Sequence, residues 1–372
     1  MKGKILVLNV EVSGMNKYLF SQLRKRGWQL KIFNVPFPKR YRYLSLALSF
    51  HFDIRRWKKR FDERLSKFYK HPCIFKIRTE FCQNVLKKEK KVDLIFQIGG
   101  LFAPYFDHNF SNQYVIMLSY TMALSKKYSP WLPPQEYIEE WISLEEALYK
   151  KASLIFTTNE NARRSMINDY GIDEEKVVTV GYGLNRERLP QIDKFYDGKT
   201  ILFIGMDFER KGGYVLLDAF RKVRKEIPSA RLIIVGPNKE IYRINEPGVE
   251  FLGCIRDREI IDGLYKKASI FVMPSLCEPF GLVFLEAMAY KLACIGTTID
   301  AMPEIIEDGK TGFLVSPNNA EELASKMISL LKNKELMKKM GELGYLRVKE
   351  KFLWDRVGEK IDFYLDKLKS NV

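Results

Sequence analysis

The chain has 372 residues, 46% of them apolar, and a formal net charge of +16. This length exceeds one ordinary core and implies two domains, and the apolar fraction excludes a disordered or fibrous chain. The apolar run 44–52 contains His51 and falls short of the ~20 residues of a bilayer span, and the charged N-terminus (Lys2, Lys4) lacks a signal-peptide pattern, so a cytoplasmic location is expected.

Residues 4–9 read as a buried strand, 10–16 as a loop with Gly14, 17–26 as a helix ended by Gly27, and 30–35 as a second strand. This strand–loop–helix–strand order opens a doubly wound α/β domain. Residues 36–91 read mainly as helices with a break at His71-Pro72. Strands are expected at 92–98, 114–118, 154–157 and 177–180, and a helix at 141–151. A linker over 184–199 precedes a second alternation. Its strands are at 200–205, 231–235, 249–253, 270–273, 293–297 and 313–315. Its helices are at 213–226, 257–268, 320–332, 334–349 and 354–369.

Charge is concentrated in residues 39–91, which hold 17 Lys and Arg against 5 Asp and Glu. Aromatic residues interleave there, among them Tyr41, Tyr43, Phe50, Phe52, Trp57 and Phe61. Such a mixture suits an anionic membrane surface. The competing reading is a solvated helical face whose aromatics enter the core; nucleic acid is the least favoured partner. The five cysteines (73, 82, 254, 277 and 294) form no CxxC pair and no zinc spacing, so free thiols are expected.

The segment from Pro274 to Ala289 carries the chemistry. A strand over 270–273 breaks at Pro274 and the chain restarts as a helix near Gly281, bracketed by Glu278 and Glu286. A helix opening off a strand end offers unpaired N–H groups and a positive dipole end to a phosphate or diphosphate. Gly281 permits close backbone approach, and two acids are in reach of hydroxyl groups beyond the phosphates. A nucleotide sugar fits that description. Either acid alone would be read as a dipole partner or an ordinary helix residue.

The run Glu278-Pro-Phe-Gly-Leu-Val-Phe-Leu-Glu286-Ala-Met-Ala resembles the two-glutamate signature of glycosyltransferase family 4 (glycosyl transferases group 1). Pro303-Glu304-Ile305-Ile306, Asp308-Gly-Lys-Thr-Gly-Phe-Leu-Val315 and Arg210-Lys211-Gly212-Gly213 match in order. The resemblance is specific from about residue 200 onward. It implies a GT-B fold, with two Rossmann-like domains facing across a cleft: residues 1–185 on the acceptor side, 186–352 binding the nucleotide sugar, and a helix over 353–372 crossing back. It implies a retaining transfer of a hexose from a nucleoside-diphosphate sugar to an acceptor hydroxyl, in glycan or glycolipid synthesis at the cytoplasmic membrane face. The acceptor would be a glycan, a lipid-linked molecule or a protein.

By the same resemblance, Lys211, Arg210 and the amides around Phe280, Gly281 and Leu282 neutralise the leaving diphosphate. Glu278 binds the sugar near the reacting carbon, Glu286 takes the ribose hydroxyls, and Ile255 lies by the base. Gly14 and Tyr120 fall on the acceptor side. No Asp-x-Asp pair occurs, so neither a metal nor another cofactor is expected. The chain departs from the family where Met206 replaces an arginine, where Asp300-Ala301 replaces a glycine pair, and where Ser119-Tyr120-Thr121 replaces a cleft histidine. His51, His71 and His108 are then structural or exposed. Two other readings remain: a sugar-nucleotide epimerase of the same fold, and a non-catalytic relative that binds anionic surfaces. A hydrolase using both carboxylates would have no use for the phosphate-binding context.

Overall fold

A computed structural model describes residues 2–10, 16–89, 91–104, 112–128, 132–237 and 245–370. Contacts divide the chain into one unit of Met1–Gly181 with Gly358–Val372 and a second of Tyr182–Val357.

The first unit contains six parallel strands: β1 (Gly3–Asn9), β2 (Trp28–Asn34), β3 (Leu94–Ile98), β4 (Gln113–Leu118), β5 (Leu154–Thr157) and β6 (Val177–Thr179). They are ordered β2-β1-β3-β4-β5-β6. Ile5 to Leu8 are fully buried, as expected of a strand covered on both faces. Helices α1 (Asn16–Lys25), α2 (Lys39–Leu48), α3 (Ile54–Tyr69) and α4 (Pro72–Lys88) follow in order. The break at His71-Pro72 is the start of α4: His71 Nδ1 accepts from Cys73 N–H at 3.1 Å and Pro72 occupies the first turn, where its missing N–H costs nothing.

Helix α6 (Ile138–Lys151) buries Trp141 and Tyr149. Two helices that the sequence pattern does not mark, α5 (Met122–Tyr128) and α7 (Glu160–Tyr170), are short and carry few apolar residues. Asn159, whose side chain accepts from Ala162 N–H at 2.7 Å, starts the second of them.

The second unit holds β7 (Thr200–Ile204), β8 (Arg231–Val235), β9 (Val249–Gly253), β10 (Ile270–Val272), β11 (Ala293–Thr297) and β12 (Gly312–Val315). All are parallel and ordered β12-β11-β10-β7-β8-β9. Helices α8 (Gly213–Glu226), α9 (Arg258–Lys267), α10 (Leu282–Ala289), α11 (Met302–Ile305), α12 (Ala320–Lys332) and α13 (Lys334–Lys351) connect them. The chain builds β7, β8 and β9 outward in one direction, then returns to place β10 on the other side of β7. Neighbouring strands β7 and β10 therefore send their following loops apart, which makes their carboxyl ends the switch point of the sheet.

Helix α14 (Trp354–Ser370) ends the chain, and from Gly358 it belongs to the first unit. Ile361 and Leu365 are fully buried, and Asp362 accepts from Trp28 Nε1 and Lys2 Nζ, each at 2.7 Å. Leu365→Ala should lower the stability of the first unit by ~2–5 kcal/mol in denaturant unfolding, the range for emptying a buried leucine site. A loss within error of zero would mean that the helix is not seated in this core.

Candidate functional site

Two loops meet at the switch point of the second sheet. The first leaves β7 and carries Asp207, Arg210 and Lys211; the second leaves β10, cannot continue as a strand past Pro274, and carries Cys277 and Glu278. Their backbones touch: Leu276 N–H donates to Arg210 O at 2.8 Å. Gly212 lies so close to the second loop that a Cβ would stand 1.9 Å from Pro274 O, and its φ is +74°, so only glycine serves here.

The contact brings Lys211 and Glu278 into a direct ion pair, Nζ to Oε2. Arg210 Nη1 lies 3.9 Å from the same carboxylate and donates to Cys277 O at 2.7 Å, while its Nε donates to Asp207 Oδ2 at 3.0 Å. The Glu278 side chain is only 8% exposed. Burial pushes the Lys211 ammonium below its ordinary pKa, against the pull of Glu278 upward. Two cations and one acid are thus held together out of bulk water.

Helix α10 starts four residues after Glu278. Gly281 is its N-cap with φ +85°, and the N–H groups of the first turn have no partner within the helix. Phe280 is buried against Tyr182 and Phe352, with ring centroids 5.6 and 6.4 Å away. Glu278 N–H donates to Asp300 Oδ2 at 2.8 Å, and Asp300 holds a left-handed φ of 47°.

One turn into the helix, Glu286 is already engaged by two side chains. Arg258 Nη1 donates to its Oε1 at 2.9 Å and Tyr265 OH to its Oε2 at 3.0 Å. Burial weighs against the charge of Arg258, but Glu286 holds its pKa above the ordinary value. Ile255 is half-buried in the turn between β9 and α9, two residues before Asp257, whose side chain accepts from Glu259 N–H at 2.9 Å. Lys211, Arg210, Glu278, Phe280, Gly281, Leu282, Glu286 and Ile255 thus all belong to this unit.

In the first unit, Tyr120 is half-buried just beyond β4 and lines a cavity of about 100 Å³ with Gly100, Ser125, Trp141 and Glu145. Glu145 is buried and accepts from Tyr170 OH at 2.5 Å, Met122 N–H at 2.8 Å and Trp141 Nε1 at 3.3 Å. Burial pushes its carboxyl pKa up, against those three donors. Gly14 and His108 lie outside the described residues. His51 Nδ1 accepts from Asp53 N–H at 2.9 Å. Among the described residues no cluster of three or more His, Cys, Asp or Glu is placed to hold a metal ion, and none of the five cysteines is in a disulfide.

Arg258, Tyr265 and Asp300 complete the surroundings of the two glutamates; the sequence marks Asp300 only as a departure from the family's glycine pair and does not mark Arg258 or Tyr265. Arg258 and Tyr265 sit on α9, far along the chain from Glu286 in an ordinary amphipathic pattern, and no local spacing marks them.

These two doubly wound units make up the GT-B fold. Residues 185–347 match the family model described as glycosyl transferases group 1. Mannosylfructose-phosphate synthase of Agrobacterium fabrum is 25% identical over 76% of this chain and 71% of its own length. Phosphatidyl-myo-inositol mannosyltransferase of Mycobacterium leprae is 31% identical over 54% of this chain, and the match spans 55% of the relative. A glycosyltransferase structure from Rickettsia africae superposes over 99% of both chains with a TM-score of 0.68 at 19% identity, a likeness of fold. The family model and the two relatives make this chain similar to glycosyl transferases of group 1, most specifically over its second unit.

Two glycine substitutions test the loop contact. Gly309 also has positive φ, +72°, but nothing lies within 4 Å of the point where a Cβ would stand, so Gly309→Ala should cost only the left-handed backbone term of ~1–2 kcal/mol. Gly212→Ala adds a collision with backbone that cannot turn aside and should cost at least about 1 kcal/mol more. Equal losses in denaturant unfolding would mean that the loops are not in contact.

Proposed function

We propose that the chain is a retaining, metal-independent hexosyltransferase of the cytoplasm. It moves a sugar from a nucleoside-diphosphate sugar to a hydroxyl of a glycan, lipid-linked or protein acceptor at the membrane face. The observation that carries this reading is the Lys211–Glu278 pair at the switch point, beside the N-terminus of α10. As the bond from the anomeric carbon to the diphosphate oxygen breaks, negative charge grows on the leaving group. Lys211, Arg210 and the amides at 280–282 are preorganised to receive it. The acceptor oxygen then bonds to the anomeric carbon on the face the diphosphate leaves, and the hydroxyl proton passes to the departing diphosphate oxygen.

Glu278 holds hydroxyls of the donor sugar near the reacting carbon. A bound diphosphate offers Lys211 a second anion, which frees Glu278 for that task. Glu286, oriented by Tyr265 and Arg258, takes the ribose hydroxyls, and the turn at Ile255 borders the base. Tyr120 and Gly14 serve the acceptor side. The cations named here replace a divalent ion as the neutralising charge.

A thermal-shift panel of UDP, GDP, ADP and their sugars identifies the donor, since a ligand of the folded state raises apparent stability. Absence of a shift with every member would contradict the donor site. With the donor known, Glu286→Gln should weaken nucleotide binding about tenfold or more through loss of a charged acceptor. Glu278→Gln should leave nucleotide affinity nearly intact and lower kcat by ~10²–10³. Equal effects of the two variants on affinity and turnover would overturn the division of roles. Activity should survive a chelator, and a strict magnesium or manganese requirement would sink the metal-free account.

A further inference from the structure

Helices α2 and α3 form a hairpin whose turn exposes its apolar side chains. Phe52 is 96% exposed, Ile54 73% and Tyr43 67%, with Leu48 and Phe50 more than half exposed. The exposure does not come from a frayed segment. Trp57 Nε1 of α3 donates to Leu46 O of α2 at 3.0 Å, and the Phe50 ring packs edge-on against Trp57 and Phe52 at 5.5 and 5.4 Å. Asp53 starts α3 by accepting from Arg55 N–H at 2.8 Å. The tip is therefore a built structure that presents aromatic and aliphatic groups to the outside. A contiguous exposed apolar surface marks a place of association.

Charge selects the partner. Immediately behind the tip stand Arg55, Arg56, Lys58, Lys59 and Arg60, all exposed. An apolar edge flanked by cations matches a membrane interface, where the apolar groups enter the acyl boundary and the cations meet anionic headgroups. A nucleic acid would satisfy the cations but offer nothing to Leu48 and Ile54. No helix among the described residues is long and apolar enough to cross a membrane.

We infer that the α2–α3 hairpin is a membrane-insertion element: Leu48, Phe50, Phe52 and Ile54 enter an anionic lipid surface and the basic cluster of α3 holds them there. The inference rests on the transferase reading for its consequence, which is that the acceptor hydroxyl belongs to a lipid-carried molecule presented at that surface. Insertion differs from simple charge attraction in a measurable way. Charge attraction between exposed groups is screened over ~8 Å at physiological ionic strength, whereas burial of apolar groups is not. Binding should therefore fall with salt without vanishing.

The test is co-sedimentation of the full chain with vesicles of phosphatidylcholine alone and of phosphatidylcholine and phosphatidylglycerol in equal parts, at low and physiological salt. The wild type should bind the anionic vesicles only. The triple variant Phe50→Ser, Phe52→Ser, Ile54→Ser should lose affinity by at least about tenfold at both salt concentrations. Reversal of Arg55, Arg56, Lys58, Lys59 and Arg60 to Glu should abolish binding. Nucleoside-diphosphate shifts measured on the same preparations should be unchanged in both variants, which shows that they fold. A triple variant that sediments like the wild type would overturn insertion, and so would a wild type that binds no vesicle at low salt. A wild-type dimer dispersed by the triple variant would assign the tip to a second copy of the chain, also against the inference. Failure of the wild type to bind any nucleoside diphosphate would count against the donor site alone, because the vesicle result does not depend on it.

Discussion

The arrangement of the second unit depends on one buried ion pair, Lys211 with Glu278, placed where two loops are pressed together at the end of a parallel sheet. Removing one partner from such a pair strands a charge away from water, a cost of ~3–5 kcal/mol. Keeping the pair carries a separate cost, the desolvation of both ions, which their attraction only partly offsets. Arg210 adds a second cation at 3.9 Å from the same carboxylate. With Asp207 at 3.0 Å from Arg210 the cluster holds two cations and two acids, and the helix start beside it, which no side chain caps, favours an incoming anion. In the proposed reaction that anion is the diphosphate, and its arrival redistributes the partners of Lys211.

Topology explains why these residues, distant in sequence, meet. Strand β7 delivers Lys211 and β10 delivers Glu278 because the chain reverses its direction of sheet growth between them. The same reversal occurs in the first unit between β1 and β3. There the buried Glu145 network ties Met122 and Tyr170 together behind Tyr120. The bond from Met122 N–H to Glu145 ties the loop after β4 to α6.

Much of this was legible in the sequence, for identifiable reasons. The strands at 200–204, 231–235 and 293–297 are short apolar runs bounded by turn residues, and helices such as α8 and α12 have strong amphipathic periods. The pair of glutamates stood out because proline and glycine punctuate the segment between them. What was not legible is contact between elements. Nothing near Glu286 announces that Tyr265 and Arg258 hold it, and a polar helix such as α7 hides its apolar stripe in two or three residues. The basic stretch of residues 39–91 was ambiguous for a similar reason. Its composition left open whether the aromatics turn inward. The structure divides them, with Trp57 and Phe61 half-buried while Tyr43, Phe50 and Phe52 face outward.

The central claim is that Lys211 recognises the diphosphate of the donor. Its most direct test is a calorimetric comparison of a nucleoside with its own diphosphate, in the wild type and in Lys211→Gln. The account predicts that the diphosphate binds the wild type far more tightly than the nucleoside does. It also predicts that this advantage shrinks by about tenfold or more in the variant, while nucleoside affinity is unchanged. An advantage of the same size in both proteins would contradict it.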